Sequence, residues 1–464
     1  MAQRDWVPES GWPFDRSELV PYYERAHKVL QLGPFNYDIE SWVSAINRSD
    51  VRRIALPTGR VIDVLSQFSS PSRLSMVYRD LLRRSKYVRT YLHANVVDIE
   101  TDPGAQAVRR VRVKTLSGRS FNVEATYFVL ACGGIENARL LLSSDKVQPG
   151  GLGNGNDLVG RYFADHPRLT LGNVRFKPEW RKNRLYDIKF HYLSRAVSAH
   201  NKYVSAQFSI NREVQKRESL LNSLIWFSSV FPGEGTDTAE ALVRMKHRLH
   251  GKAEPGSSVW RDLSLLYRHP IVTGSFVTAR LWQPQTLIAT VQIEVVCEPA
   301  PNRDSRVTLA TERDQLGMRR VRVDWRLSEQ VKRTFDRSVA IFAEELRSAG
   351  VADVELVRPL EDREWPAVKP TPWHHMGTWH HMGTTRMHDS PKYGVVDRHS
   401  KIHGMANLYV AGSSVFPTFG ANYPTITITA LGLRLADHLC ERLKMPEALA
   451  TVNHTTLKDA VARE

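Results

Sequence analysis

Residues Trp379 to Leu439 read WHHMGTTRMHDSPKYGVVDRHSKIHGMANLYVAGSSVFPTFGANYPTITITALGLRLADHL, and this stretch decides the fold. It opens on a histidine-rich loop. Leu408–Val410 then reads as an apolar strand running into the small residues Ala411-Gly412-Ser413, a turn that admits close approach of another group. A Gly-Ala-Asn-Tyr-Pro-Thr turn follows, and a helix opens after Pro424. The apolar run from Ile426 to Leu443 is broken by Arg434, Asp437 and His438, so it reads as a buried helix and not as a membrane span. His380 beside Asn422 or Tyr423 would set a proton acceptor next to a second hydrogen-bonding group, as oxidation of an alcohol requires.

Upstream, TYFVLACGGIENARLLLSS places an apolar strand, Tyr127–Cys132, before Gly133-Gly134 and a helix. Strand, glycine turn and helix make the unit of a doubly wound sheet. Before it, an amphipathic helix over Ser72–Arg84 leads to short strands at Tyr87–Leu92, Ala94–Glu100, Val108–Leu116 and Ser120–Glu124. Strands at Asp187–Val197, Tyr203–Ile210, Ile271–Leu281, Leu287–Cys297 and Arg306–Leu309 suggest an antiparallel sheet, with Arg217–Leu266 helical or irregular between them. Two amphipathic helices have clear faces. One carries Leu19, Tyr22, Tyr23, Ala26, Val29 and Leu30; the other follows a Ser328 cap with Val331, Phe335, Val339, Phe342 and Leu346 and ends at Gly350.

A chain of 464 residues has room for two or three domains, and 42% hydrophobic with 24% charged residues fits an ordinary globular protein. The formal charge of +15 invites acidic partners. Its basic residues are scattered, as in the pairs Arg83-Arg84 and Arg109-Arg110, and no nucleic-acid motif accompanies them, so no nucleic acid is expected. Cys132, Cys297 and Cys440 are too few for a disulfide framework, which points to a reducing, cytoplasmic setting. An export signal lying ahead of Met1 would change that expectation. Trp373–Thr378 and Trp379–Thr384 are the same hexapeptide, a tandem duplication that lengthens one loop, and one copy alone can hold the native register.

Taken in order, SGWPFDRSELVPYYERAHKVL, Asp157–Arg161, Asp165-His166-Pro167, Pro301–Val307 and the C-terminal stretch resemble the glucose–methanol–choline (GMC) flavin oxidoreductases, in the bacterial sugar-dehydrogenase branch. The resemblance runs from about Trp6 to Leu443. It implies an α/β fold with an α+β substrate domain: an incomplete doubly wound FAD-binding domain and an antiparallel substrate sheet. The implied parts are a substrate-side segment at 1–70, FAD-binding structure at 71–150, a substrate domain at 151–375, the catalytic loop and return at 376–445, and a flexible tail at 446–464. No GxGxxG occurs, although backbone N–H groups of such a turn cradle a dinucleotide's pyrophosphate. The expectation is that the chain is N-terminally truncated and that its partner is the missing fragment.

The family's H-x-x-G-T loop places a histidine base at the flavin. Both His374-x-x-Gly377-Thr378 and His380-x-x-Gly383-Thr384 fit; the second continues Thr385-Arg386-Met387 as the family does, which assigns the role to His380. Five residues after Thr418 the family has Asn or His, where this chain has Tyr423, with Asn422 one earlier. A purely structural Asn422, in a turn before Pro424, competes with a catalytic one. The resemblance also implies FAD contacts at Val96, Gly133, Ala411, Gly412, Pro424 and Thr425, the last at a helix start whose dipole stabilises negative charge. The implied activity is oxidation of a sugar or cyclic-alcohol hydroxyl to a carbonyl or lactone, with a quinone or cytochrome as a further electron acceptor. The rivals are a non-catalytic, partner-dependent chain and a metal enzyme built on His374, His375, His380, His381 and His388. No Cys or carboxylate stands at ligand spacing in a helix, so no metal is expected.

Overall fold

The computed structural model describes residues 1–69, 74–188, 197–231, 233–249, 258–282, 286, 288–357, 359–360 and 378–443. Its strands are β1 (Val61–Phe68), β2 (Asn95–Thr101), β3 (Val108–Lys114), β4 (Ser120–Val123), β5 (Phe128–Leu130), β6 (Arg168–Phe176) and β7 (Ser198–Ala199). They continue with β8 (Lys202–Ile210), β9 (Ser223–Val230), β10 (Thr290–Cys297), β11 (Arg306–Arg313), β12 (Arg319–Asp324), β13 (Ala352–Leu356) and β14 (Leu408–Val410).

The large sheet runs β1-β8-β9-β10-β6-β13, with β7 paired to β8, and its ladders are antiparallel. The period of two gives it two different faces. Val204, Ala206, Phe208 and Ile210 of β8 join Ile225 and Phe227 of β9 in a core closed by Val331, Phe335, Val339, Phe342 and Leu346. Those five are the apolar stripe expected of the helix Glu329–Ser348. Leu224, Trp226 and Val296 point to the opposite face, where they pack with Ala421 of the C-terminal turn. One face of the sheet therefore holds the fold together while the other meets the candidate site.

The second body is built around β5 and β14, which pair in parallel with Leu408 opposite Phe128 and Val410 opposite Leu130. Each strand leads through a turn to a helix, Glu136–Ser143 after β5 and Thr425–Arg442 after β14. The helix Val20–Val29 packs on the latter, tied by Tyr23 Oη to Thr427 Oγ1 at 3.2 Å and by Arg25 to Asp437 at 2.5 and 3.0 Å. β2-β3-β4 form a separate antiparallel sheet.

Several expectations change. Ile271–Leu281 is not a strand; Pro270–Trp282 is a helix, with Phe276 and Ala279 buried three residues apart. Pro270 sits at its first position, where a missing N–H costs nothing, and packing there overrides the strand propensity of Ile, Val and Phe. Tyr87–Leu92 forms no strand, because the Ser85 hydroxyl accepts from the Tyr87 and Val88 N–H groups that a ladder would use. The helical or irregular stretch Arg217–Leu266 contains the central strand β9, buried on both faces and so without alternation. Of Ser72–Arg84, the described residues form two short helices, Leu74–Val77 and Arg79–Arg84, with no buried residue. Ser328 has the backbone of a cap, but its hydroxyl makes no cap bond. Most of Asp187–Val197 and the 446–464 tail lie outside the described residues.

Candidate active site

Asp165 organises the histidine loop. Its buried carboxylate accepts N–H groups from Thr378 (3.2 Å), Trp379 (3.0 Å) and His380 (2.9 Å), and from its neighbour His166 (2.7 Å). Met382 and Ala164 exchange backbone hydrogen bonds at 2.9 and 3.1 Å, so the loop runs beside the segment that carries Asp165. His380 Nδ1 lies 3.0 Å from Thr378 Oγ1 and 3.1 Å from His166 Nδ1. Burial lowers the His380 pKa below the ordinary imidazole value, against the opposing pull of Asp165. His166 is pushed down to about 4 by burial and then by His380. Its Nε2 is buried without a hydrogen-bond partner. Both rings are therefore neutral near pH 7, and a neutral imidazole is what a proton acceptor must be.

Tyr423 is brought to His380 with ring centroids 6.2 Å apart, and its ring also meets Phe68 at 5.6 Å. Asn422 is exposed. The turn that carries them is held from below by Glu298, fully buried, which accepts from the N–H groups of Phe419 (3.4 Å) and Gly420 (3.1 Å). The same carboxylate takes two 2.7 Å bonds from Arg4 and one of 2.6 Å from Asn222 Nδ2. Burial raises the Glu298 pKa, but Arg4 and the hydrogen bonds outweigh it, so the group lies below its ordinary value and stays charged.

Gly133 and Ala411-Gly412 stand together just past the C-terminal ends of β5 and β14, the position at which doubly wound sheets receive ligands. Asn137, fully buried, knits them: it accepts from Cys132 N–H (2.8 Å) and donates to Ala411 O (3.2 Å) and Ser414 Oγ (2.9 Å). A Cβ added at Gly133 or Gly412 would meet nothing within 4 Å, which leaves the mouth of both turns open for a flat or extended group. The loop joins this region directly, since Ser413 Oγ donates to His381 O at 2.7 Å and Gly383 N–H to Ser413 O at 3.2 Å. Gly134 and Gly383 allow that closeness: a Cβ on either would fall 2.2 Å from a carbonyl oxygen, of His381 and Tyr162 respectively. Pro424 takes the cap position of the helix that starts at Thr425. Val96 stands apart on β2, opposite Val113, next to a bulge.

The other histidines have different surroundings. His388 Nδ1 accepts from Ser390 N–H at 2.9 Å and the His388 carbonyl accepts from His403 Nε2 at 2.9 Å, so both shape the loop's exit. His374 and His375 lie outside the described residues. Among the described residues no three His, Cys, Asp or Glu side chains converge on a metal-sized site. The sequence gives Asp165-His166-Pro167 no role of its own, and nothing local marks Glu298, Arg4 or Asn137; Asn137 shares IENARLLL with Glu136 and Arg139 and so does not stand out there.

Residues 301–432 match the C-terminal model of the family described as GMC oxidoreductase. The fructose dehydrogenase large subunit of Gluconobacter japonicus is 24% identical over 328 residues, which cover 70% of this chain and 49% of that protein. The 2-methyl-1,2-propanediol dehydrogenase of Mycolicibacterium austroafricanum is 25% identical over 364 residues, covering 75% and 54%. The chain thus spans about half the length of these curated relatives. Among solved structures, a fungal aryl-alcohol oxidase superposes with a TM-score of 0.50 at 15% identity, over 95% of this chain and 81% of that one. An FAD-dependent oxidoreductase from Chaetomium thermophilum gives 0.51 at 14% identity, over 96% and 84%. His380, Gly412 and Tyr423 all lie within the stretch that matches the C-terminal model of the GMC oxidoreductase family.

Proposed function

We propose that this chain supplies the substrate-facing half of an FAD-dependent oxidoreductase that converts a hydroxyl of a sugar or cyclic alcohol to a carbonyl or lactone, with His380 as the base. The observation that carries this reading is a neutral, half-buried imidazole whose Nδ1 side is fully engaged by Thr378 and His166, beside the open turns at Gly133 and Gly412. Those turns fit a cofactor; FAD, when bound, accepts the hydride leaving the substrate carbon. His380 takes the hydroxyl proton, and the Tyr423 hydroxyl donates a hydrogen bond to the substrate oxygen and orients it. The exposed Asn422 has no comparable place beside the base. The helix opening at Thr425 directs its N–H groups and positive end at the same region and favours negative charge there.

The substrate class follows the names of the relatives, a fructose dehydrogenase and a diol dehydrogenase. That the former is a large subunit supports a partner protein as the route for electrons. The test is anaerobic mixing of the reconstituted enzyme, its dinucleotide-binding segment supplied by fusion or co-expression, with a panel of sugars and cyclic alcohols. Bleaching of the flavin by one of them, lost in His380→Ala, supports the proposal. Bleaching that persists at the same rate in His380→Ala overturns it.

A further inference from the structure

The duplicated hexapeptide puts a threonine where the single-copy sequence would put a proline. Thr378 closes the first copy and stands two residues before His380; with one copy removed, Pro372 takes that place, with neither hydroxyl nor N–H. Both groups are in use. The Thr378 N–H donates to Asp165 Oδ1 at 3.2 Å, and Oγ1 lies 3.0 Å from the same oxygen and 3.0 Å from His380 Nδ1.

A threonine hydroxyl has one proton to give and lone pairs to offer, whereas a carboxylate only accepts. Between the charged oxygen of Asp165 and a neutral ring nitrogen, the proton goes to the carboxylate. The Thr378 oxygen then faces His380 with a lone pair, and Nδ1 must carry the hydrogen. His166 fits this arrangement: in its own Nε2–H tautomer its Nδ1, 3.1 Å from His380 Nδ1, offers a second acceptor to the same N–H.

We infer that Thr378, anchored by Asp165, locks His380 in the Nδ1–H tautomer and leaves Nε2 as the bare nitrogen, and that the tandem duplication created this lock. Thr378 and Asp165 are positioning residues, and the inference rests on the reading of His380 as the base. It gives the first hexapeptide copy a purpose of its own: the copy furnishes the threonine that orients the histidine of the second.

The tautomer is read without cofactor or turnover, from ring nitrogen signals of the chain labelled with 15N-histidine, with His380 assigned by its absence in His380→Ala. The wild-type chain and Thr378→Ser should show a protonated, pyrrole-type Nδ1 and a pyridine-type Nε2. Thr378→Val and deletion of residues 373–378 should move both signals toward the opposite tautomer. The signals of His27, whose ring nitrogens contact Gly33 O and Tyr37 Oη, should stay in place and report that the fold is intact. In the reconstituted enzyme kcat should fall roughly tenfold in Thr378→Val, in proportion to the competent tautomer, with KM unchanged and Thr378→Ser restoring it.

A wild-type His380 protonated on Nε2, or unchanged signals in Thr378→Val, would overturn the inference. So would a Thr378→Val chain that does not fold, since the hydroxyl would then serve folding and not the tautomer. If the lock is present but His380→Ala still reduces flavin, the base assignment fails while the lock stands. If the lock is absent but His380→Ala is inactive, the base survives and the lock falls.

Discussion

Two side chains can be separated from their neighbours by single substitutions. In the reconstituted enzyme, His380→Ala should slow substrate-dependent flavin reduction roughly a hundredfold to ten-thousandfold, the usual worth of a positioned general base. His374→Ala should leave most of that rate, because the loop bonds that Asp165 makes are to Thr378, Trp379 and His380. Stopped-flow bleaching of the flavin measures both. The second pair divides the same way: Tyr423→Phe should cost roughly a hundredfold by removing a donor beside the base, and Asn422→Ala little. An inactive Asn422→Ala with a healthy Tyr423→Phe would mean that the turn shifts by one residue when substrate binds. At this scale a sequence motif nominates one residue for a task, as it nominates His380, but leaves Asn422 and Tyr423 open, because a turn's register depends on what holds it. Here that is Glu298, more than a hundred residues away along the chain and invisible to local pattern.

The two strand–turn–helix units depend on one amide. Asn137→Ala removes the part-buried bonds to the Cys132 N–H and the Ala411 carbonyl and the buried one to Ser414 Oγ, each worth about 0.5–1.5 kcal/mol. Urea unfolding of the chain should show a loss of at least about 2 kcal/mol, and the nearly isosteric Asn137→Asp should not repair it, because it cannot donate to Ala411 or Ser414. Elements with one wet face were legible from period alone: the stripe from Val331 to Leu346 lies where the spacing put it. Those covered on both sides were not. β9 shows no alternation because both its faces are buried, Ser228 and Ser229 included, and Pro270–Trp282 carries strand-favouring residues in a helix because two other helices pack against it. Tyr87–Leu92 failed for the opposite reason: a local serine contact satisfied the backbone before any strand partner was needed.

For the molecule as a whole, His166 makes stability depend on pH. Its folded pKa of about 4 lies below the ordinary 6.5, so between those values the unfolded chain binds a proton that the folded chain refuses. Stability is insensitive to this group above pH 6.5 and falls as pH drops toward 4, by up to about 3 kcal/mol. Denaturant midpoints measured across that window should decline, and His166→Gln should flatten the decline. Cofactor retention is a second property of the whole: expressed alone, the chain should keep little flavin, because no GxGxxG cradle stands in its sequence. A yellow protein with near-stoichiometric FAD after gel filtration would contradict this. The close approach of backbones at Gly134 and Gly383 has a consequence for how variants of this protein would be read. In a saturation scan both positions should look as intolerant as His380, although neither side chain takes part in chemistry. Their variants should vanish from the cell through misfolding, whereas His380 variants should accumulate as inert protein. Scoring abundance beside turnover would split one apparent class of essential sites into two, those that hold two main chains together and those that act on substrate.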